Sequence, residues 1–202
     1  MLKIKNEWKL IDVTWGGGYI NEKGSYVQTL NEEMYFAKPD KFIFKHLPAD
    51  PIWQLNEVTI NTQIFKLDSN KIKDYLLKPK NSNINYKDTL KNYETLDSLP
   101  KLLNSYYRMA KYNSESADGY YKLSWYYFTK SWKQMNLLND ISIQKDKKRA
   151  VPIAKESLEY INKAENYLFK VIAIDSDYEN EINQKLKIIK QNKNSLEQII
   201  KN

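Results

Sequence analysis

At 202 residues with 42% hydrophobic side chains, the chain is long enough to bury a core as one larger domain or two small ones, and its sixteen tyrosines and five tryptophans exclude a disordered chain. Thirty-two Lys and Arg against twenty-five Asp and Glu give a net charge of +7, but the lysines are spread among asparagines and acids along the whole length. The charge therefore reads as a solvated lysine-rich surface with no nucleic-acid partner, and the lack of cysteine excludes disulfides, thiolate metal sites and a cysteine nucleophile supplied by this chain.

The N-terminus MLKIKNEWK has neither the apolar run nor the small-residue cleavage site of a signal peptide, and no stretch approaches the roughly eighteen apolar residues of a spanning helix. No membrane partner is expected, and the chain as written reads as cytoplasmic. An export signal would be missing from view if this were a piece of a longer protein.

Residues 1–66 hold four of the five glycines and short alternating apolar runs: Leu2 and Ile4; Trp8, Leu10 and Val13; Tyr35 and Ala37; Phe42 and Phe44. These predict strands, with Asn6-Glu7 as a tight hairpin and with Gly16-Gly17-Gly18 and Asn21 to Gly24 as turns. Residues 67–85 read as a linker, with a polar joint at Pro79 to Asn83. Residues 86–202 take a helical period. Leu90, Tyr93 and Leu96 predict a short helix, and Leu102, Leu103, Tyr106, Met109 and Ala110 a second, with Ser98 as N-cap and Pro100 in its first turn. Tyr121, Trp125, Phe128 and Trp132 mark a strongly aromatic third helix, followed by a polar loop from Asn139 to Lys148.

A fourth helix carries Ala154, Leu158, Ile161, Leu168, Val171 and Ile172 on one face, with Pro152 in its first turn. The fifth carries Ile182, Leu186, Ile189, Leu196 and Ile200, a heptad-like seam interrupted by Lys193. The joint from Ala173 to Asn180, an aliphatic helix end followed by an aspartate-containing turn, resembles the joint between tetratricopeptide-type repeats. A generic helical hairpin fits it as well.

Trp8-Lys-Leu-Ile-Asp-Val-Thr-Trp15 reads as a strand with one carboxylate in apolar company. One account has Asp12 accepting hydrogen bonds from the backbone of the glycine turn. The other has an ionised carboxylate that must be paired and therefore orients a partner such as an imidazole.

The run from Trp8 through Gly18-Tyr19-Ile resembles the signature around the catalytic aspartate of transglutaminase-like domains, in the branch related to kyphoscoliosis peptidase. Tyr35-Phe36, Phe42-Ile-Phe44 and then His46-Leu-Pro48-Ala-Asp50-Pro51-Ile-Trp53-Gln54-Leu55 are similar to that branch's trailing strand and ending. The resemblance implies an α+β fold: a partial antiparallel sheet of a papain-like or transglutaminase-like fold over 1–66, followed by an α-helical array. It also implies a Cys, His, Asp triad in which the aspartate fixes the imidazole of the base. Asp12 matches the third member by resemblance. The family histidine would fall a few residues before Met1, and His46 matches the trailing motif, where a packed, hydrogen-bonded histidine is expected. Trp15 and Trp53 are expected in the core.

Three functions stay open. In the first, the chain is the C-terminal remnant of a transglutaminase-like protein, non-catalytic alone, with Asp12 left without its imidazole. The residual sheet would then expose an apolar face, covered by the chain's own helices, by a partner or by self-association. In the second, the aromatic helices from Tyr106 to Trp132 form a groove for a protein or peptide, against the alternative that they are simply core. In the third, the chain is part of a split cysteine protease or acyl transferase completed by another chain, or a hydrolase using other residues. No metal cluster, phosphate-cradling loop or cofactor site is read from the sequence.

Overall fold

The computed structural model describes residues 1–78, 85–139, 141 and 146–201, with 14 and 15 as backbone only. The chain is mainly helical with small antiparallel sheets, an α+β arrangement, and divides into two compact units, Met1–Leu96 and Asp97–Asn202.

The first unit opens with a hairpin of β1 (Leu2–Ile4) and β2 (Glu7–Ile11), in which Leu2 faces Lys9 and Ile4 faces Glu7. Its turn is Lys5-Asn6, one residue earlier than expected. Both residues have positive φ (47° and 64°), which matches the turn to the right-handed twist of the strands.

The strand expected over Trp8 to Trp15 stops at Ile11 and gives way to a short helix α1 (Val13–Gly17), closed by the Gly16 amide donating to the Asp12 carbonyl at 3.0 Å. The glycine triplet is therefore not a turn: it ends this helix and starts β3 (Gly18–Ile20), which pairs with β4 (Tyr26–Gln28). Gly18 has φ +158°, and a Cβ there would run into the Val27 carbonyl oxygen across the hairpin.

Strand β5 (Tyr35–Ala37) adds to the other edge of β2, giving the order β1-β2-β5. Leu10 faces Ala37 and Ile11 faces Tyr35, so Phe36, at φ 55°, is the extra residue of a β-bulge.

Phe42-Ile-Phe44, expected as strand, is instead the end of helix α2 (Pro39–Phe42) and the turn after it. Pro39 presets the helical φ, and the Lys38 carbonyl accepts from the amides of Lys41 and Phe42. Helices α3 (Thr62–Phe65) and α4 (Ser69–Leu77) follow, the second capped by the Asp68 carboxylate and lying inside the stretch expected as linker. Ile72 of α4 is buried with Ile43 and Ile60. The joint expected at Pro79 to Asn83 lies outside the described residues.

Helix α5 (Tyr86–Thr95) buries Leu90 against Leu10, Ile52 and Leu55, with Trp8, Trp53 and Tyr93 packed around them. That packing carries the boundary to 96/97 rather than 85/86: helical period shows that α5 is a helix, but not which core it joins.

The second unit is a run of four helices, α6 (Ser98–Tyr112), α7 (Ala117–Asn139), α8 (Lys147–Ile174) and α9 (Glu179–Lys201), each packed on the next. The N-cap of α6 is Asp97, not Ser98. Part of the loop expected over Asn139 to Lys148 lies outside the described residues; Asp146 caps α8 by accepting from the Arg149 amide at 3.3 Å. Pro152 lies in the second turn of α8, not the first. The buried seam of α8 is Ala150, Ala154, Ser157, Ile161, Ala164, Leu168 and Val171, and that of α9 is Ile182, Ile189 and Leu196. Lys193 does not break the second seam; it reaches over it to Glu165 of α8 at 2.6 Å.

On α7 the aromatic stripe divides between core and surface. Leu123 and Tyr127 are buried, while Trp125 and Trp132 are 58% and 52% exposed. Among the described residues no helix is long and apolar enough to cross a membrane.

Candidate functional site

Asp12 follows directly on β2, beyond the Phe36 bulge that alters the register between Leu10 and Ile11. Its amide donates to the Met34 carbonyl at 3.0 Å and its carbonyl starts α1, so the backbone is fixed on both sides. The carboxylate faces His46: Oδ2 lies 3.3 Å from Nε2, with the two side chains 17% and 23% exposed and Nε2 itself out of contact with solvent.

His46 is held from its own side. Its amide donates to the Phe42 carbonyl at 3.0 Å, and its ring stacks on Phe42 with centroids 4.3 Å apart and planes at 27°. The expectation that Asp12 has no imidazole beside it is thereby corrected: it faces His46, the chain's single histidine. Sequence reasoning missed this pair because the two residues meet only through the turn after α2, in a stretch read as strand.

Two clefts adjoin the pair. One, of about 660 Å³, is lined by Leu10, Ile11, Asp12, Val13, Phe42, Lys45, His46, Leu47, Pro48 and Phe65, together with Met1. The other, of about 260 Å³, lies between β5 and α2 and reaches Tyr35, Lys41 and Lys45. None of the described residues lining the larger cleft bears a hydroxyl or thiol; its described side chains with exchangeable protons are those of Asp12, His46 and Lys45. Among the described residues no group of His, Asp and Glu is arranged to hold a metal ion.

The remainder of the stretch from His46 to Leu55 builds the frame. The Asp50 carboxylate caps the 3-10 turn Pro51–Gln54 through the Ile52 amide at 3.3 Å. Trp53 packs edge-on between Trp8 and Tyr93, at centroid distances of 5.0 and 5.2 Å, in line with its expected core role. Gln54, 1% exposed, clasps Ile60: its Nε2 donates to the Ile60 carbonyl at 2.7 Å and its Oε1 accepts from the Ile60 amide at 2.8 Å. The Trp15 side chain lies outside the described atoms.

No protein-family model, curated protein or solved structure matches the chain.

Proposed function

We propose that the chain is the C-terminal portion of a transglutaminase-like protein, non-catalytic by itself, that acts as a structural or interaction module. The observation that carries this reading is the Asp12–His46 contact: a strand-end carboxylate and an imidazole set 3.3 Å apart beside a cleft whose described lining bears no hydroxyl or thiol, in a chain without cysteine. The papain-like character of residues 1–66 belongs to this proposal and rests on the motifs around Asp12 and from His46 to Leu55. Asp12 and His46 then act as a stabilising pair rather than as catalysts.

Purified chain, incubated with peptide amides and with a glutamine donor plus a lysine-type amine, is expected to release no ammonia and to incorporate no amine. Asp12→Asn is expected to cost about 1–2 kcal/mol of stability in urea unfolding by leaving the imidazole poorly paired. Turnover abolished by Asp12→Asn would overturn the reading. An in-frame upstream coding sequence containing neither Cys nor His-x-Trp-Asn would remove the ancestry.

A second reading, half of a split cysteine acyl transferase, is favoured by the open 660 Å³ cleft over the same pair. It requires amine incorporation only when a chain supplying the cysteine is added.

A further inference from the structure

In the helical unit, Tyr121, Lys185 and Glu181 form a compact arrangement. The Tyr121 hydroxyl donates to Glu181 Oε1 at 2.9 Å, Lys185 Nζ donates to the same oxygen at 2.6 Å, and Nζ lies 4.4 Å from the centre of the Tyr121 ring. Here a lysine over a tyrosine, with ammonium and phenol converging, holds a carboxylate.

The pairing recurs on another face of the unit. Lys163 Nζ lies 5.4 Å from the Tyr127 ring centre, and Lys170 Nζ lies 5.6 Å from that of Tyr167 and 5.3 Å from that of Tyr120. Tyr120 and Tyr127 are seven residues apart on α7, as are Lys163 and Lys170 on α8, so both sets repeat every two turns. The Tyr127 ring stacks on those of Tyr167 and Tyr160 at 5.9 and 6.2 Å. Here, however, no carboxylate of the described residues is ion-paired to Lys163 or Lys170.

The hydroxyls add donors. Tyr107 of α6 is hydrogen-bonded to the hydroxyls of Tyr127 and Tyr167. Three O–H groups serve two contacts, so one donor is left for an incoming acceptor. Burial, followed by the Tyr107 contact, raises the pKa of Tyr127 and takes Tyr167 up to about 12, which keeps both phenols protonated as donors.

We propose that the face carrying Tyr107, Tyr167, Lys163 and Lys170, laid over the buried Tyr127, binds an acidic, extended peptide segment whose carboxylates occupy the places that Glu181 fills beside Tyr121. The lysines lie about 10 Å apart along α8, which matches carboxylates three residues apart on a polyproline-II-like extended chain, where every third side chain lies on the same side at about 9 Å spacing. Nucleic acid fits less well, because the rings stack on one another under the ammonium groups and offer no free face to a base. This deepens the interaction-module part of the proposed function and uses nothing of the Asp12–His46 argument, so enzymatic turnover would sink that reading without touching this one.

The test is fluorescence anisotropy on the full chain with a short labelled peptide bearing glutamate at every third position. Saturable, salt-sensitive binding is expected, with Kd raised about tenfold in K163Q/K170Q, since two solvent-facing charge contacts are lost. Both lysines are exposed, so the variant should keep its circular dichroism melt. Lys187→Gln, on α9, should leave Kd unchanged. The proposal fails if the glutamate peptide does not bind, if its glutamine analogue binds equally well, or if K163Q/K170Q binds like the parent. It also fails if oligothymidylate or phosphatidylserine vesicles displace the peptide and bind more tightly through the same lysines.

Discussion

Gln54 is an amide removed almost wholly from water, and both of its hydrogen-bonding ends are spent on the main chain of one residue, Ile60. Gln54→Leu keeps the volume but leaves the Ile60 N–H and C=O without those partners in a buried place. It should cost about 2–4 kcal/mol in chemical denaturation, with the two units' transitions resolved. The tyrosines titrate in a direction that follows from their surroundings. Tyr167 is raised from 10.0 to about 12, first by burial and then by its bond to Tyr107. The unfolded phenol ionises first, so the stability tied to it is complete below pH 10 and is lost as pH climbs from 10 towards about 12. Absorbance titration of phenolate should show a late-ionising class that Tyr107→Phe brings to lower pH. Asp12 and His46 stand at the limit of what residues alone disclose. The need for a partner to the carboxylate was legible, because an ionised group in apolar company demands one. The identity of that partner was not, because it depends on the path of the chain after Pro39.

Elements that announce themselves locally were legible. The helices of the second unit follow from apolar spacing, and Asp146 marks the start of α8 because its carboxylate has an N–H to take. The misread stretches, Val13 to Gly17 and Pro39 to Phe44, are short, and their alternating apolar residues fit strand and helix equally well; a single backbone bond such as Gly16 to Asp12 decides between them. Close helix contacts are likewise invisible in periodicity. Gly119 of α7 lies against α6, where a Cβ would come within 2.5 Å of the Ala110 nitrogen and 2.8 Å of its Cα. Gly119→Ala should therefore lower stability by about 1–2 kcal/mol despite alanine's better helix propensity, as read by thermal unfolding, because backbone atoms rather than a side-chain tip must give way.

At the scale of the whole molecule, separate cores serve two lengths of chain: the first unit holds one cluster on Leu10, Ile52, Leu55 and Leu90 and another on Ile43, Ile60 and Ile72, and the second is built on the seams of α7, α8 and α9. The fragment 97–202 should therefore retain a cooperative, helical melt when produced alone, and a non-cooperative loss of circular dichroism would show that the division at Leu96 does not mark a folding unit. Within that unit, heptad spacing raises the problem that one helix fits another at several offsets seven residues apart. The buried Ser131 and Ser157 hydroxyls, 2.8 Å from each other, with Ser157 also donating to the Ser131 carbonyl at 3.0 Å, meet at one offset only. Slid by a heptad, the Ser131 hydroxyl would face Ala150 or Ala164 with its hydrogen bond to Ser157 unmade. The pair adds little net stability; it selects one alignment of α7 on α8 from otherwise similar ones, as a single polar position does in a coiled coil.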